Sequence, residues 1–120
     1  MDELNEFEKG VILGLLIGEG HFGGDGKQPQ INLKMHVRHE QLLMWVNNRI
    51  RWSRLYGPYH HDGRDYLQLM VRGAGIKLAL APLLDSLPWP EIDDHSFGRY
   101  VAMCRRYGLP FGGVSPGSSP

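Results

Sequence analysis

The sequence predicts an α+β domain in which one four-stranded antiparallel sheet carries helices on one face. Three observations lead there. Residues 11–22 form an apolar run of helical length that ends around a lone carboxylate, Glu19. Residues 28–38 alternate between polar and apolar without a break. A second alternating stretch, 66–72, follows an Asp-Gly turn at 62–63. Such strict alternation means a strand with one dry and one wet face, and antiparallel sheets are the kind that leave a face to water. The element order is helix, hairpin, helix, hairpin, helix, or αββαββα, with one further helix at the C-terminal end.

The first helix is expected to start at Asp2 or Asn5 and to run to about Gly18. Phe7, Val11, Gly14, Leu15 and Gly18 recur at a spacing of three to four. A helix this apolar should be buried on nearly every side. Gly14 and Gly18 each cost about 1 kcal/mol of helix propensity relative to alanine. That cost makes sense where another backbone comes close, from a second helix of another copy or from the same chain. Gly20 is placed as the C-terminal cap. Glu19 then sits at the negative end of the helix dipole, where an acid is unfavourable unless it binds a cation.

Gly23-Gly24-Asp25-Gly26-Lys27 reads as a hairpin turn. On the return strand the wet positions are Gln28, Gln30, Asn32, Lys34, His36 and Arg38, and the dry ones are Pro29, Ile31, Leu33, Met35 and Val37. The wet set is long, rich in donors and free of acid, the kind of set that bonds base edges and phosphates. His39 to Ile50 is expected as a helix with Leu42, Leu43, Trp45, Val46 and Ile50 inward. Leu55–His61 and Tyr66–Arg72 form the second hairpin, and Tyr66, Gln68, Met70 and Arg72 share its wet side. Gly73-Ala74-Gly75 breaks the strand, and Ile76–Leu84 is the third helix. Leu87-Pro88-Trp89-Pro90 reads as a rigid break. Asp94 or Ser96 caps a last helix to about Tyr107, ended by Gly108. His60-His61-Asp62 and Asp93-Asp94-His95 read as a turn and a cap respectively. The domain is placed at 1–111, and residues 112–120 as a tail with too little apolar content to fold.

Net charge is zero, yet the charge is segregated. Residues 1–26 hold one base and six acids; residues 27–77 hold nine bases and three acids, a balance of +6. A neutral chain can present a basic face. The single cysteine, Cys104, forbids an internal disulfide, fits a reducing compartment and reads as a packed thiol. The apolar run is about half the roughly 20 residues that span a bilayer. Its acidic flank is unlike a secretory signal. The expectation is an intracellular protein with no membrane partner.

Ile12-Leu13-Gly14-Leu15-Leu16-Ile17-Gly18-Glu19-Gly20 resembles the nine-residue signature of the LAGLIDADG homing endonucleases. Ile17 stands where the motif has aspartate at its sixth position. The element order extends the resemblance over about residues 5–107. It implies a homodimer whose motif helices pack at Val11, Gly14, Leu15 and Gly18. It implies a divalent cation, normally Mg²⁺, bound by Glu19 of each copy with Gly18 beside it. The paired sheets would straddle double-stranded DNA and read the major groove of a pseudo-palindromic site. The contacts expected on that face are His21, Gln28, Gln30, Asn32, Lys34, His36, Arg38, Arg54, Tyr56, Arg64, Tyr66, Gln68 and Arg72. These enzymes also place a base beside the metal, commonly just after the third helix. Residues 85–94 contain no base, so Arg38 and His39 are expected to join Glu19 as catalytic residues. The same scaffold without cutting would be a DNA-binding regulator or a splicing cofactor for an intron RNA. A protein adaptor is the reading that the basic, amide-rich face favours least.

Overall fold

The computed structural model describes residues 3–110. Asp2, the boundary at 111 and the tail 112–120 therefore lie outside the described residues. The order is α1 (Glu6–Glu19), β1 (Gly20–Gly24), β2 (Pro29–His36), α2 (Glu40–Asn47), β3 (Arg54–His61) and β4 (Arg64–Arg72). There follow α3 (residues 73–85), α4 (Trp89–Ile92) and α5 (Asp94–Tyr107).

Asn5 starts α1 through a capping box: its side chain accepts from the Glu8 N–H at 2.8 Å, and Glu8 accepts from the Asn5 N–H at 2.9 Å. Glu8 also receives Arg49 Nε at 2.7 Å, while that guanidinium lies 3.8 Å over the Trp45 ring. The start of α1 is thereby tied to the end of α2. The Asn5 N–H, and after it Arg49, hold the Glu8 carboxyl below its ordinary value. Ile12, Leu13 and Leu16 are buried, as expected. The opposite side is not: Gly10, Gly14, Gly18 and Glu19 are exposed, and Phe7 is 72% exposed. All-round burial of α1 is therefore not met among the described residues.

The four strands form one antiparallel sheet in the order β1-β2-β4-β3. Phe22, Ile31, Leu33, Leu67, Leu69 and Val71 are buried in a core with Leu43, Val46, Ile76, Leu80 and Leu84. The tight turn between β3 and β4 has positive φ at both Asp62 (52°) and Gly63 (74°), which matches the twist of a hairpin. In the first hairpin the Asp25 carboxylate accepts from the Lys27 and Gln28 N–H groups, both at 2.8 Å. β2 stops at His36, short of the expected Arg38. The His36 Nδ1 accepts the Arg38 N–H at 3.0 Å and turns the chain into a 3₁₀ turn at Val37–His39.

The helix after β4 begins at Gly73, three residues before the expected start. Its middle, Ile76–Leu80, is a π turn in which the Ala81 N–H reaches the Ile76 carbonyl. Pro82 follows with no N–H of its own, and a wider turn relieves the clash a helical proline makes with the turn before it. Leu87-Pro88-Trp89-Pro90 is more than a break. Trp89 is wholly buried, donates from Nε1 to Ser96 Oγ at 2.9 Å, and packs on Phe22, Tyr100 and Phe97 with ring centroids 5.6, 4.8 and 5.7 Å away. Ser96 is accordingly a buried partner, and the cap of α5 is Asp93, which accepts the Ser96 N–H at 3.3 Å. Gly108 ends α5 in the left-handed region, φ 68°. The Cys104 thiol is buried and pushed up to about 11 by that burial. The Tyr107 hydroxyl accepts the Gly26 N–H at 3.1 Å, which pins the end of α5 to the first hairpin turn. No described helix is long and apolar enough to cross a membrane.

Glu8 yields a test of the α1–α2 tie. Its folded pKa lies below its unfolded value, so its contribution is full above the unfolded pKa and lost as pH falls through the folded one. Urea unfolding from about pH 6 down to about pH 3 should show stability falling, and Glu8→Gln should flatten part of that fall. An identical pH dependence in the variant would contradict the linkage.

Candidate functional site

α1 passes into β1 with no loop. Glu19 is the last helical residue, and Gly20 is the first strand residue, paired with Leu33. Gly20 is not the left-handed cap expected of it: its backbone is extended, φ −74° and ψ 147°. Glycine is required there for space. A Cβ would collide with the Leu16 carbonyl oxygen and stand 2.9 Å from Leu16 Cα, while the Gly20 N–H donates to that same carbonyl. Glu19 is thereby fixed at the corner of helix and sheet. Its side chain is exposed and engaged by no hydrogen bond or ion pair among the described residues. It opens on a hollow of about 350 Å³ lined by Glu19, His21, Asn32, Lys34 and Gln68.

The pairing register lays out the rest of the wet face in rows. His21, Asn32, Met70 and Arg54 stand side by side; the next row is Lys34, Gln68 and Tyr56; the next is His36, Tyr66 and Tyr59. Gln30 lies opposite Arg72 at the other end. Gln68 Nε2 donates to Asn32 Oδ1 at 2.9 Å across the strands. Lys34 Nζ lies 5.1 Å from the Tyr66 ring centroid, and the Arg72 guanidinium 6.0 Å from that of Tyr56. Arg64 follows the same parity at the hairpin tip, opposite His61. Gln28, just before β2, lays its side chain against Gly73. No acid occupies these rows. The nearby Asp65 and Asp62 are held by His60 at 2.7 Å and His61 at 3.1 Å. Tyr59 joins the face although the sequence pattern hides it. An irregularity between Tyr56 and Tyr59, around Pro58 on the edge strand, shifts the alternation by one.

Arg38 and His39 are not brought to Glu19. They stand in the 3₁₀ turn and line a different hollow with Phe7, Val11, Gln41, Leu42 and Trp45. Val11 is about 12 Å up the α1 axis from Glu19 at roughly 1.5 Å per residue. The base that shares the Glu19 hollow is Lys34. Gly14 and Gly18 face outward, and a Cβ on either would meet nothing within 4 Å. Among the described residues, nothing packs closely on either glycine. Val11 and Leu15 beside them are half-buried. No group of three or more His, Cys, Asp or Glu side chains is gathered among the described residues; Glu19 is the one acid among the residues that line its hollow.

No protein-family model matches the chain, and no curated protein matches it in sequence. Solved structures match its fold. I-CeuI, a group I intron-encoded homing endonuclease complexed with DNA, has a TM-score of 0.66 over 86% of this chain and 55% of its own, at 14% identity. I-LtrWI, a LAGLIDADG homing endonuclease bound to target DNA, has a TM-score of 0.55 over 95% of this chain and 47% of its own, at 12% identity. The fold is that of the LAGLIDADG homing endonucleases. At such identities the likeness carries the fold alone, and the chain spans about half the length of each structure. Within the homing-endonuclease fold, the helix-to-strand corner at Glu19 and Gly20 is the feature on which the local geometry turns.

Gly20→Ala should destabilise the chain by about 1–3 kcal/mol, the usual cost of forcing an atom into packed backbone. An unchanged urea midpoint would contradict the close approach to Leu16.

Proposed function

We propose that two copies of this chain pair along α1 to form a metal-dependent, site-specific DNA endonuclease of homing type. The observation that carries the proposal is the corner at Glu19. There an unengaged carboxylate meets both a bare glycine face and an acid-free sheet face. One carboxylate is too few for a hard divalent cation, which takes several oxygen ligands. Two chains meeting at Gly14 and Gly18 would bring two. The donor set fits Mg²⁺: Glu19 is free to bind, and the last carbonyls of α1, that of Gly18 among them, lack onward helical partners. When bound, such an ion supplies Lewis-acid charge at a scissile phosphate.

The chain's own residues do the rest. Glu19 would hold the ion. Lys34, in the same hollow, places positive charge beside the same phosphate, the part first expected of Arg38 and His39. Asn32 and Gln68 brace each other and offer their remaining amide groups to base edges. Gln30, Arg54, Arg72 and Tyr56 extend the contact along the groove, whose width admits a β-ribbon. A DNA-binding regulator on the same scaffold would use the same face and differ only in the absence of cutting.

Incubation with a randomised duplex library and Mg²⁺ should yield cut ends that vanish with Glu19→Gln. Lys34→Met should slow cutting by about a hundredfold, the scale of losing one electrostatic stabiliser. Binding without Mg²⁺-dependent cutting would favour the regulator instead. Gly14→Leu should leave the far-UV spectrum unchanged, because its own chain has room for the side chain. In sedimentation it should turn a dimer into a monomer, and a persisting dimer would sink the α1 interface.

A further inference from the structure

We infer that the hollow at the far end of the wet face is a phosphate cradle that grips the DNA backbone, separate from the residues that face base edges. The inference rests on the DNA-binding reading above. The hollow has a volume of about 720 Å³, and Lys34, His36, Arg38, Arg64 and Tyr66 line it. Three cations thus share one recess. The two acids on its wall, Asp62 and Asp65, are hydrogen-bonded to His61 at 3.1 Å and His60 at 2.7 Å and ion-paired with none of the three cations. An anion entering the recess meets three cations against two carboxylates, a surplus of one positive charge.

Arg38 is aimed. Its backbone N–H and its Nε both donate to His36 Nδ1, at 3.0 and 3.2 Å. Nδ1 therefore acts as an acceptor, and the imidazole carries its proton on Nε2. With Nε held, the two terminal amino groups of the guanidinium remain as a fork, the geometry that takes a phosphate in bidentate fashion. His36 is a positioning residue here. Arg64 stands at the hairpin tip opposite His61, about 13 Å along β4 from Gln68, which faces the Glu19 hollow, at roughly 3.3 Å per residue. Lys34 borders both hollows, while Arg38 and Arg64 line only the far one of the two and make it a second point of grip.

The test uses random-sequence duplex DNA and fluorescence anisotropy across a salt series. Each phosphate contact adds about 0.9 to the slope of log affinity against log salt. Arg38→Ala and Arg64→Ala should each lower the slope by about that amount, with the same loss on any sequence. His36→Ala should reproduce Arg38→Ala, His36→Asn should restore the slope by keeping an acceptor, and His36→Ala should add nothing in the Arg38→Ala background. Slopes unchanged in the Arg38→Ala, Arg64→Ala double variant, with wild type still binding, would overturn the cradle alone. A lowered Arg38→Ala slope with an unchanged His36→Ala slope would overturn the positioning role. Failure of the wild type to bind DNA at any salt would overturn the DNA-binding reading and the cradle with it.

Discussion

The constraint on which the rest of the structure depends is the approach of Gly20 to the Leu16 carbonyl. It lets a helix become a strand without a loop, and much else follows from the register set there. With Gly20 opposite Leu33, Lys34 comes to lie on the wet side next to Glu19. Two residues on, Phe22 falls on the dry side against Trp89 and Tyr100. Aromatic pairs of this kind contribute about 0.5–1.5 kcal/mol each beyond the area they bury. They dock α4 and α5 against the first hairpin. The same junction thus orients the acid and anchors the C-terminal helices.

The two faces of the sheet are specified together. A one-residue slip in β2 would expose Ile31 and Leu33 and bury Asn32 and Lys34. Burial of the dry set therefore fixes the position of the wet set, and the contact face inherits the precision of the core. This also explains how a chain of zero net charge carries a cationic surface. Several acids are engaged by other groups: Glu8 by Arg49, Asp25 by the N–H groups of its own turn, Asp65 and Asp62 by neighbouring histidines. The wet face keeps Lys34, Arg54 and Arg72 with no carboxylate in their rows.

Local pattern made much of this legible. Alternation located β2 and β4, Asp62-Gly63 located the second turn, and Asn5 and Gly108 bounded helices by their capping chemistry. The α+β sheet with helices on one side followed from those signals. Features that depend on tertiary pairing were not legible. Trp89 sits between two prolines and reads locally as a break; only the arrival of Phe22 and Tyr100 makes it a core residue. Ser96 looks like a cap until the Trp89 indole is known to need an acceptor. The neighbour of Glu19 is set by strand register, which no window of sequence contains, so Arg38 and His39 were expected where Lys34 stands. Gly14 and Gly18 signal a close approach, but their sequence does not tell which surface faces outward.

On the proposed function, the wet face of the sheet, with Glu19 at its corner, is the surface that meets DNA. Amide chemical-shift mapping of the labelled protein against random-sequence duplex DNA tests it most directly. Perturbations are expected at Glu19–His21, along β2 from Gln30 to His36, and along β4 from Tyr66 to Arg72, with α4 and α5 unmoved. Perturbations concentrated on α5, with those strands silent, would contradict it.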